Sequence, residues 1–432
     1  MTSNHIDLIT LGCSKNLVDS ERIIKMFESV GYYVKHNPLK ITSKIVIINT
    51  CGFIGDAKEE SINMILECVS AKQKGQVWQI YVMGCLSERY RKELPREIPE
   101  VDCWYGKFDW ENLIKDISGK QHDINTFERK LSTPSHYAYI KIAEGCNRFC
   151  SFCAIPLITG RYKSRKIEDI LHEVKLLVKQ GVKEFNIIAQ DLSYYGIDIY
   201  GSQKLALLID EMAQIQGVEW IRLHYAYPAQ FPIDLLDVMQ KHNNICKYLD
   251  IALQHSSDKV LSNMRRHINE EETIELLDKI RKKIPGIHIR TTLMVGFPGE
   301  DNTEFENLLT FVKKQKFDRM GAFAYCEEED TYAAKYLTDN IPDEIKQSRL
   351  DQLMSIQEEI AYDLNKAKVG QILKVIIDAE DDDYYIGRTE FDSPEVDPEV
   401  LIKKSKKLTI GNFYKVKIVE AMPFELIAII VD

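Results

Sequence analysis

No apolar run in the sequence approaches 18 residues, and Met1 to Ile6 carries neither a basic stretch nor an apolar one. A membrane span and a secretory leader are therefore not expected, and the cytoplasm is the default compartment. No G-x-x-x-x-G-K-[ST] phosphate loop occurs, and no histidines pair at metal-ligand spacing. Positive charge is in deficit: 56 Lys and Arg against 66 Asp and Glu give a net charge of −10. That balance argues against generic affinity for a phosphate backbone and leaves room for a basic partner. With 21 Gly, 13 Pro, 45% hydrophobic and 28% charged residues, the composition excludes a disordered, collagen-like or low-complexity chain. What remains is 432 residues, enough for about three packed domains, and ten cysteines. A reducing compartment makes metal binding the first question to ask of those thiols, ahead of disulfides.

Three early stretches share one layout: Ile6 to Leu11 runs into Gly12-Cys13, Ile45 to Asn49 into Thr50-Cys51, and Ile80 to Met83 into Gly84-Cys85. Each reads as a short buried strand ending at a cysteine. Helix-period segments follow the first two, over Val18 to Val30 and Ala57 to Lys72. Alternation of strand and helix predicts a parallel sheet, with Cys13, Cys51 and Cys85 converging off its carboxyl ends. Polar Gly119 to Asn125 reads as a linker, giving a first domain over 4–120.

A second set of alternations begins at strand Tyr137 to Ile142. Strands are predicted over Glu184 to Ala189, Trp220 to Tyr225, Tyr248 to Leu253, His288 to Val295 and Arg319 to Tyr325. Helices are predicted over Ile167 to Lys179, Leu205 to Gln214, Leu235 to Gln240, Glu270 to Lys283 and Thr303 to Lys314. Six βα-type repeats are too few for an eight-stranded barrel, so a partial (βα)6 barrel over 132–363 is expected. A long amphipathic helix, Pro342 to Lys366, follows. From Gly370 the texture changes to five short β-like runs, Leu373 to Asp378, Tyr384 to Thr389, Val400 to Ile402, Tyr414 to Ile418 and Leu426 to Val431. They predict a small five-stranded β-barrel over 366–432. Such barrels often bind RNA, yet this one carries 10 basic against 13 acidic residues, with the run Glu380 to Asp383. That electrostatics favours a cationic partner over direct nucleic-acid binding; a solvated acidic loop is the plainer reading. The fold class is α/β with this terminal barrel.

Directly after strand Tyr137 to Ile142 stands C-x-x-x-C-x-x-C, formed by Cys146, Cys150 and Cys153. Three thiolates can hold a four-iron cluster and leave one iron open, whereas zinc wants a fourth protein ligand that is not evident nearby. This triplet, with Phe152 before its last cysteine and the six-fold repeat behind it, resembles the radical S-adenosylmethionine enzymes. The resemblance implies that the open iron chelates S-adenosylmethionine, and that reductive cleavage yields a 5′-deoxyadenosyl radical able to take hydrogen from an unactivated carbon. Cys13, Cys51 and Cys85 ahead of that core, with the small TRAM-like barrel behind it, resemble the methylthiotransferases. This second resemblance covers nearly the whole chain. It implies two [4Fe-4S] clusters, one on Cys146, Cys150 and Cys153 and a sulfur-delivering one on Cys13, Cys51 and Cys85. It also implies an electron donor such as a flavodoxin or ferredoxin.

Substrate divides that family. One branch thiomethylates adenosines of transfer RNA; another modifies the β-carbon of an aspartate in small-subunit ribosomal protein S-twelve. The stretches Leu11 to Glu21, Leu253-Gln254-His255, Tyr325 to Ala333 and Asp392 to Asp397 resemble the second branch, and the acidic barrel suits a basic ribosomal protein. Cys326, Asp330, Tyr332 and Ala252 depart from its pattern, which puts fine substrate positioning in doubt but not the cluster chemistry. The tRNA branch is the alternative. By the same resemblance Gln190, Asp191, Gln254 and Arg290, with Phe152 and the Val295 to Glu300 turn, face S-adenosylmethionine. Strand-end polar residues serve equally as caps, and Gly296 and Gly299 as turn residues. Cys68, Cys103, Cys246 and Cys326 read as incidental thiols, and Lys403, Lys404, Lys406 and Lys407 as a solvated turn.

Overall fold

The computed structural model describes residues 4–120 and 127–431; most of the expected linker, 121–125, lies outside the described residues. The first sheet contains β1 (His5–Thr10), β2 (Tyr33–His36), β3 (Ile45–Thr50), β4 (Gln79–Gly84) and β5 (Cys103–Trp104). Its order is β2-β1-β3-β4-β5 and every pairing is parallel. Alternation along the central strands fills two cores. Ile9, Val46, Ile48, Ile80 and Val82 pack on one face, and Ile6, Leu8, Ile47, Tyr81 and Met83 on the other. Burial on both sides is what makes these runs continuously apolar. The two edge strands, β2 and β5, were not among the expected elements.

In the middle unit, β6 (Tyr137–Lys141) is followed by a short antiparallel ribbon of β7 (Ala143–Glu144) with β8 (Lys163–Ser164). Then come β9 (Glu184–Ile188), β10 (Trp220–Ala226), β11 (Ile245–Ile251), β12 (His288–Val295) and β13 (Arg319–Ala324). They form an open six-stranded parallel sheet in the order β13-β12-β11-β10-β9-β6. Helices Ile167–Lys179 and Glu270–Lys283 have the expected bounds. The second is fixed at its start by a capping box, Asn269 with Glu272. The fourth strand ends at Ile251, before Leu253 where it was expected to stop, so Gln254 lies beyond it.

Helix Asp343–Lys366 leads to a closed barrel of β14 (Ile372–Glu380), β15 (Tyr384–Thr389), β16 (Glu399–Lys403), β17 (Phe413–Ala421) and β18 (Glu425–Ile430). This barrel is seated under the amino ends of the middle strands. Both oxygens of buried Glu184, the first residue of β9, accept from Arg388 of β15, at 3.0 and 2.7 Å, and one also accepts from Arg222 at 3.1 Å. Arg388 turns its remaining edge to Asp378. The 390–398 connection enters the open sheet from below. Glu395 accepts from the hydroxyls of Tyr137 and Tyr139 at 3.1 and 3.3 Å, and Asp397 from Tyr248 at 2.9 Å. Asp392 pairs with Arg319 at 2.7 Å. The Asp392 and Asp397 side chains of this loop are thus buried in the molecule, while exposed Glu395 holds its rim to the sheet. Buried ions also join the first unit to the second, since Glu173 receives Arg22, Arg129 and Arg165. Among the described residues no helix is long and apolar enough to cross a membrane.

Candidate active site

The carboxyl ends of β1, β3 and β4 deliver Cys13, Cys51 and Cys85 to one place. Cys13 is the N-cap of helix Ser14–Ser29, and Cys85 opens helix Cys85–Arg89. Two glycines permit the approach. Gly12 (φ +86°) lies so close to Cys51 that a Cβ there would stand 2.7 Å from the Cys51 Sγ. At Gly84 (φ +101°) a Cβ would meet the Thr50 carbonyl oxygen at 2.5 Å. Burial raises the Cys51 thiol and pushes Cys85 up to about 12. Cys13 has a solvent-open face but is otherwise crowded by protein. That desolvation opposes its thiolate, yet Lys15, the Asn16 backbone N–H and Lys107 together hold the thiol below its usual value.

Cys146, Cys150 and Cys153 lie at the carboxyl end of β6, all half-buried. Burial pushes Cys146 up to about 12 and raises Cys153 further. The Arg148 backbone N–H points at the Cys146 Sγ (3.5 Å), and Arg266 Nη1 at the Cys150 Sγ (3.4 Å). Arg266 is buried and stacks over the Tyr227 ring at 4.1 Å, with Arg148 over the same ring at 4.2 Å. The Asp191 carboxyl, raised by burial although Arg148 opposes this, accepts from Arg148 Nε at 2.6 Å.

The two triads share a wall: Cys85 packs on Ala154 and Ile158, the residues just after Cys153. Between them lie four charged groups. Lys107 Nζ is 3.2 Å from Glu144 Oε1, 3.9 Å from Asp19 Oδ2 and 3.8 Å from the Cys85 Sγ. Lys141 contacts Asp19 and lies 2.7 Å from Glu144 Oε2. Gln190 also donates to Glu144. Burial opposes the Lys107 charge, but Glu144, Cys85 and Asp19 more than offset it, so its pKa is raised; Glu144 is lowered against its own burial by Lys141 and Lys107.

Of the expected cofactor contacts, Phe152 packs edge-on against Phe297 at 6.2 Å, under the cysteine loop. Gln190, expected to end the second strand, lies two residues beyond β9, where it donates to Glu144. Gln254 sits in a left-handed conformation (φ +75°), held to β12 by its N–H to the Thr292 carbonyl and its own carbonyl to the Met294 N–H. Arg290 departs from expectation. It lies in the lower half of β12, where Asp397 (3.3 Å) and Asp250 (3.7 Å) hold it toward the terminal barrel. His255 and the Val295 to Glu300 turn form a scaffold: buried Glu300 takes His255 at 3.1 Å, the Gly296 N–H at 2.9 Å and Arg349 at 2.7 Å. Arg266, Lys107 and the pairing role of Glu144 were not foreseen. For Arg266 a weak signal existed in the Met264-Arg265-Arg266 run after a helix; for Lys107 there was none.

Polar atoms left over around Cys146, Cys150 and Cys153 test whether a polar cofactor suits the site. Arg266 Nε, Arg148 Nη2 and Gln190 Oε1 are buried and have no hydrogen-bond partner, so two donors and an acceptor are left that fit a ligand bearing both carboxylate and amino groups. No group of three His, Cys, Asp or Glu among the described residues converges on a single metal ion. The thiols in each triad nevertheless lie near enough to raise one another's pKa.

Residues 140–312 match the radical SAM superfamily, 5–106 the uncharacterized protein family UPF0004, and 369–431 the TRAM domain. Solved structures with this fold include the radical S-adenosylmethionine methyltransferase TsrM from Kitasatospora setae (TM-score 0.57, 14% identity, 75% of each chain). Another is the cobalamin-dependent radical enzyme OxsB (TM-score 0.51, 12% identity, 82% of this chain and 56% of that one). Sequence relatives are much nearer. The "Ribosomal protein uS12 methylthiotransferase RimO" of Phocaeicola vulgatus is 61% identical over 429 residues, 99% of both chains. That of Parabacteroides distasonis is 57% identical over 426 residues, again 99% of both. That of Flavobacterium johnsoniae is 49% identical over 428 residues, 99% of this chain and 98% of its own. Likeness of this degree over the full length shows that the chain belongs to the RimO family of radical SAM methylthiotransferases.

Proposed function

We propose that this enzyme installs a methylthio group on the β-carbon of an aspartate in ribosomal protein uS12, using two [4Fe-4S] clusters and S-adenosylmethionine. The observation that carries the reading is the full-length likeness to uS12 methylthiotransferases, supported by two cysteine triads that share the Cys85–Ala154–Ile158 wall. In this reading Cys146, Cys150 and Cys153 hold one cluster, and Cys13, Cys51 and Cys85 the other. When bound, the first would supply the electron that cleaves S-adenosylmethionine to a carbon-centred radical, and the second the sulfur to be inserted.

The chain's own residues bind and orient. Arg266 sets the charge beside Cys150 through its guanidinium at 3.4 Å and keeps Nε free for a carboxylate. Arg148, held by Asp191 and seated on Tyr227, adds a second donor. Gln190 and Gln254 line the same rim, and Phe152 on Phe297 gives the loop an apolar floor. Ala154 and Ile158, buried against Cys85, give the two triads an apolar shared wall. Substrate recognition falls to surface charge: the chain's net −10 suits a basic ribosomal protein better than tRNA.

An anaerobic reaction of the reconstituted protein with S-adenosylmethionine, a reductant, uS12 and bulk tRNA, read by mass spectrometry, tests this. A methylthio mass gain on uS12 alone is expected; a gain on tRNA alone would move the chain to the other branch. C146A should abolish 5′-deoxyadenosine formation, while C13A should leave it and stop sulfur insertion. Unchanged thiomethylation by C13A would overturn the assignment of the second triad.

A further inference from the structure

We propose that Lys107 is a positioning residue for the amino-terminal cysteine site, its buried ammonium keeping the charge balance beside Cys85 that makes a cluster there reducible. The inference rests on the reading that Cys13, Cys51 and Cys85 hold such a cluster. Lys107 is only 3% exposed, and it stands between the triads. Of the four charged groups at that place, Lys107, Lys141, Asp19 and Glu144, it alone reaches a cysteine sulfur, at 3.8 Å from Cys85. Two cations face two carboxylates, so the group is neutral overall, with its positive end toward the amino-terminal site. Lys141 holds the other side, bonded to both Asp19 and Glu144.

This arrangement has a directional consequence. Charges and hydrogen bonds at cluster sulfurs set the reduction potential, and adding an electron beside a fixed cation is easier than beside a fixed anion. Removal of the Lys107 charge leaves Lys141 against two carboxylates, a net −1 next to Cys85. A cluster there becomes harder to reduce. Simple loss of packing would not depend on sign, because Met replaces Lys with nearly the same volume, and Arg keeps the charge with a different shape.

The test uses the full chain carrying C146A/C150A/C153A, so that the amino-terminal cluster alone is titrated. The chain is reconstituted anaerobically, assayed for iron and sulfide, and followed by electron paramagnetic resonance against solution potential. K107M should retain about four irons and, at the potential where the parent is half reduced, show a reduced-to-oxidised ratio at least about tenfold lower, a 59 mV shift for one electron. K107R should stay within about threefold of the parent, and K107M/E144Q, which restores neutrality, should recover most of the shift. An unshifted midpoint in K107M with its iron intact overturns the proposal. Should K107M fail to hold iron, K107M/E144Q decides: return of the iron upholds charge balance, and no return overturns it. If the parent binds no iron, or if further C13A/C51A/C85A substitution removes none, the two-cluster reading itself falls, a result separate from any midpoint.

Discussion

Glu184→Gln probes the joint between the terminal barrel and the middle sheet. Glu184 is fully buried and serves two guanidiniums: Arg388 through two bonds, and Arg222 through one. Glutamine keeps the shape, but it turns an NH2 group toward N–H donors, leaving Arg388 with Asp378 and Arg222 with the Thr389 and Glu390 carbonyls alone. Removing one partner from a buried ion pair typically costs about 3–5 kcal/mol, and at about 1.4 kcal/mol per tenfold the seam should open at least a hundredfold more often. Hydrogen exchange read by mass spectrometry over 372–380 and 390–398 measures that opening directly. Arg388→Met should cost less than Arg388→Ala, because the stem still fills the space over the Tyr137 ring. Glu184→Gln exchange within about fivefold of the parent would refute the idea that this carboxylate fastens the barrel.

Two further substitutions test the interior. Asp250 is buried, and burial pushes its carboxyl from 3.8 up to about 6 against the pull of Arg290. The folded state therefore keeps this proton more tightly than the unfolded chain, and the contribution to stability falls as pH rises from about 4 to about 6. Asp250→Asn should be the more stable form at pH 7.5 by roughly 2–3 kcal/mol relative to its position at pH 4; a urea-unfolding difference independent of pH would contradict this. Arg89 Nη1 donates to the Gly52 carbonyl at 3.0 Å and to Glu328 at 2.8 Å, fastening the turn after Cys51 to the middle unit. Arg89→Met should lose about half of its reconstituted iron to a chelator 10–100-fold faster than the parent, with the other half unaffected; equal rates for both halves would exclude the link.

Much of this architecture was legible because parallel strands buried on both faces read as continuous apolar runs, and each of the first three ended at a cysteine. Helix Glu270–Lys283 has the bounds read from its sequence, and its cap, its acids at the start and its bases at the end agree with them. Edge strands Tyr33–His36 and Cys103–Trp104 did not, being four and two residues long and half open to solvent. The order of charges was less readable still. Lysine is ordinarily a surface residue, and nothing near Lys107 in sequence hints that Glu144, 37 positions on, will bury it. Asp392 to Asp397 read as a family-like stretch, but their pairing with Tyr137, Tyr139, Tyr248 and Arg319 was not legible, because those partners are 73 or more residues away. The pairing of Arg290 with Asp397, 107 positions on, was hidden for the same reason.

That loop also bears on how the chain is made. Tyr137, Tyr248, Arg290 and Arg319 leave the ribosome well before Asp392, Glu395 and Asp397, which complete their contacts. At 5–20 residues per second, Glu395 follows Tyr137 by roughly 13–50 s. For that interval the nascent six-stranded sheet has an open base, with Arg290 lacking Asp397 and Arg319 lacking Asp392. Completion of the middle unit therefore waits on synthesis of the 390–398 segment. A chain released before residue 390 would carry every cysteine of both triads on a sheet whose floor was never laid.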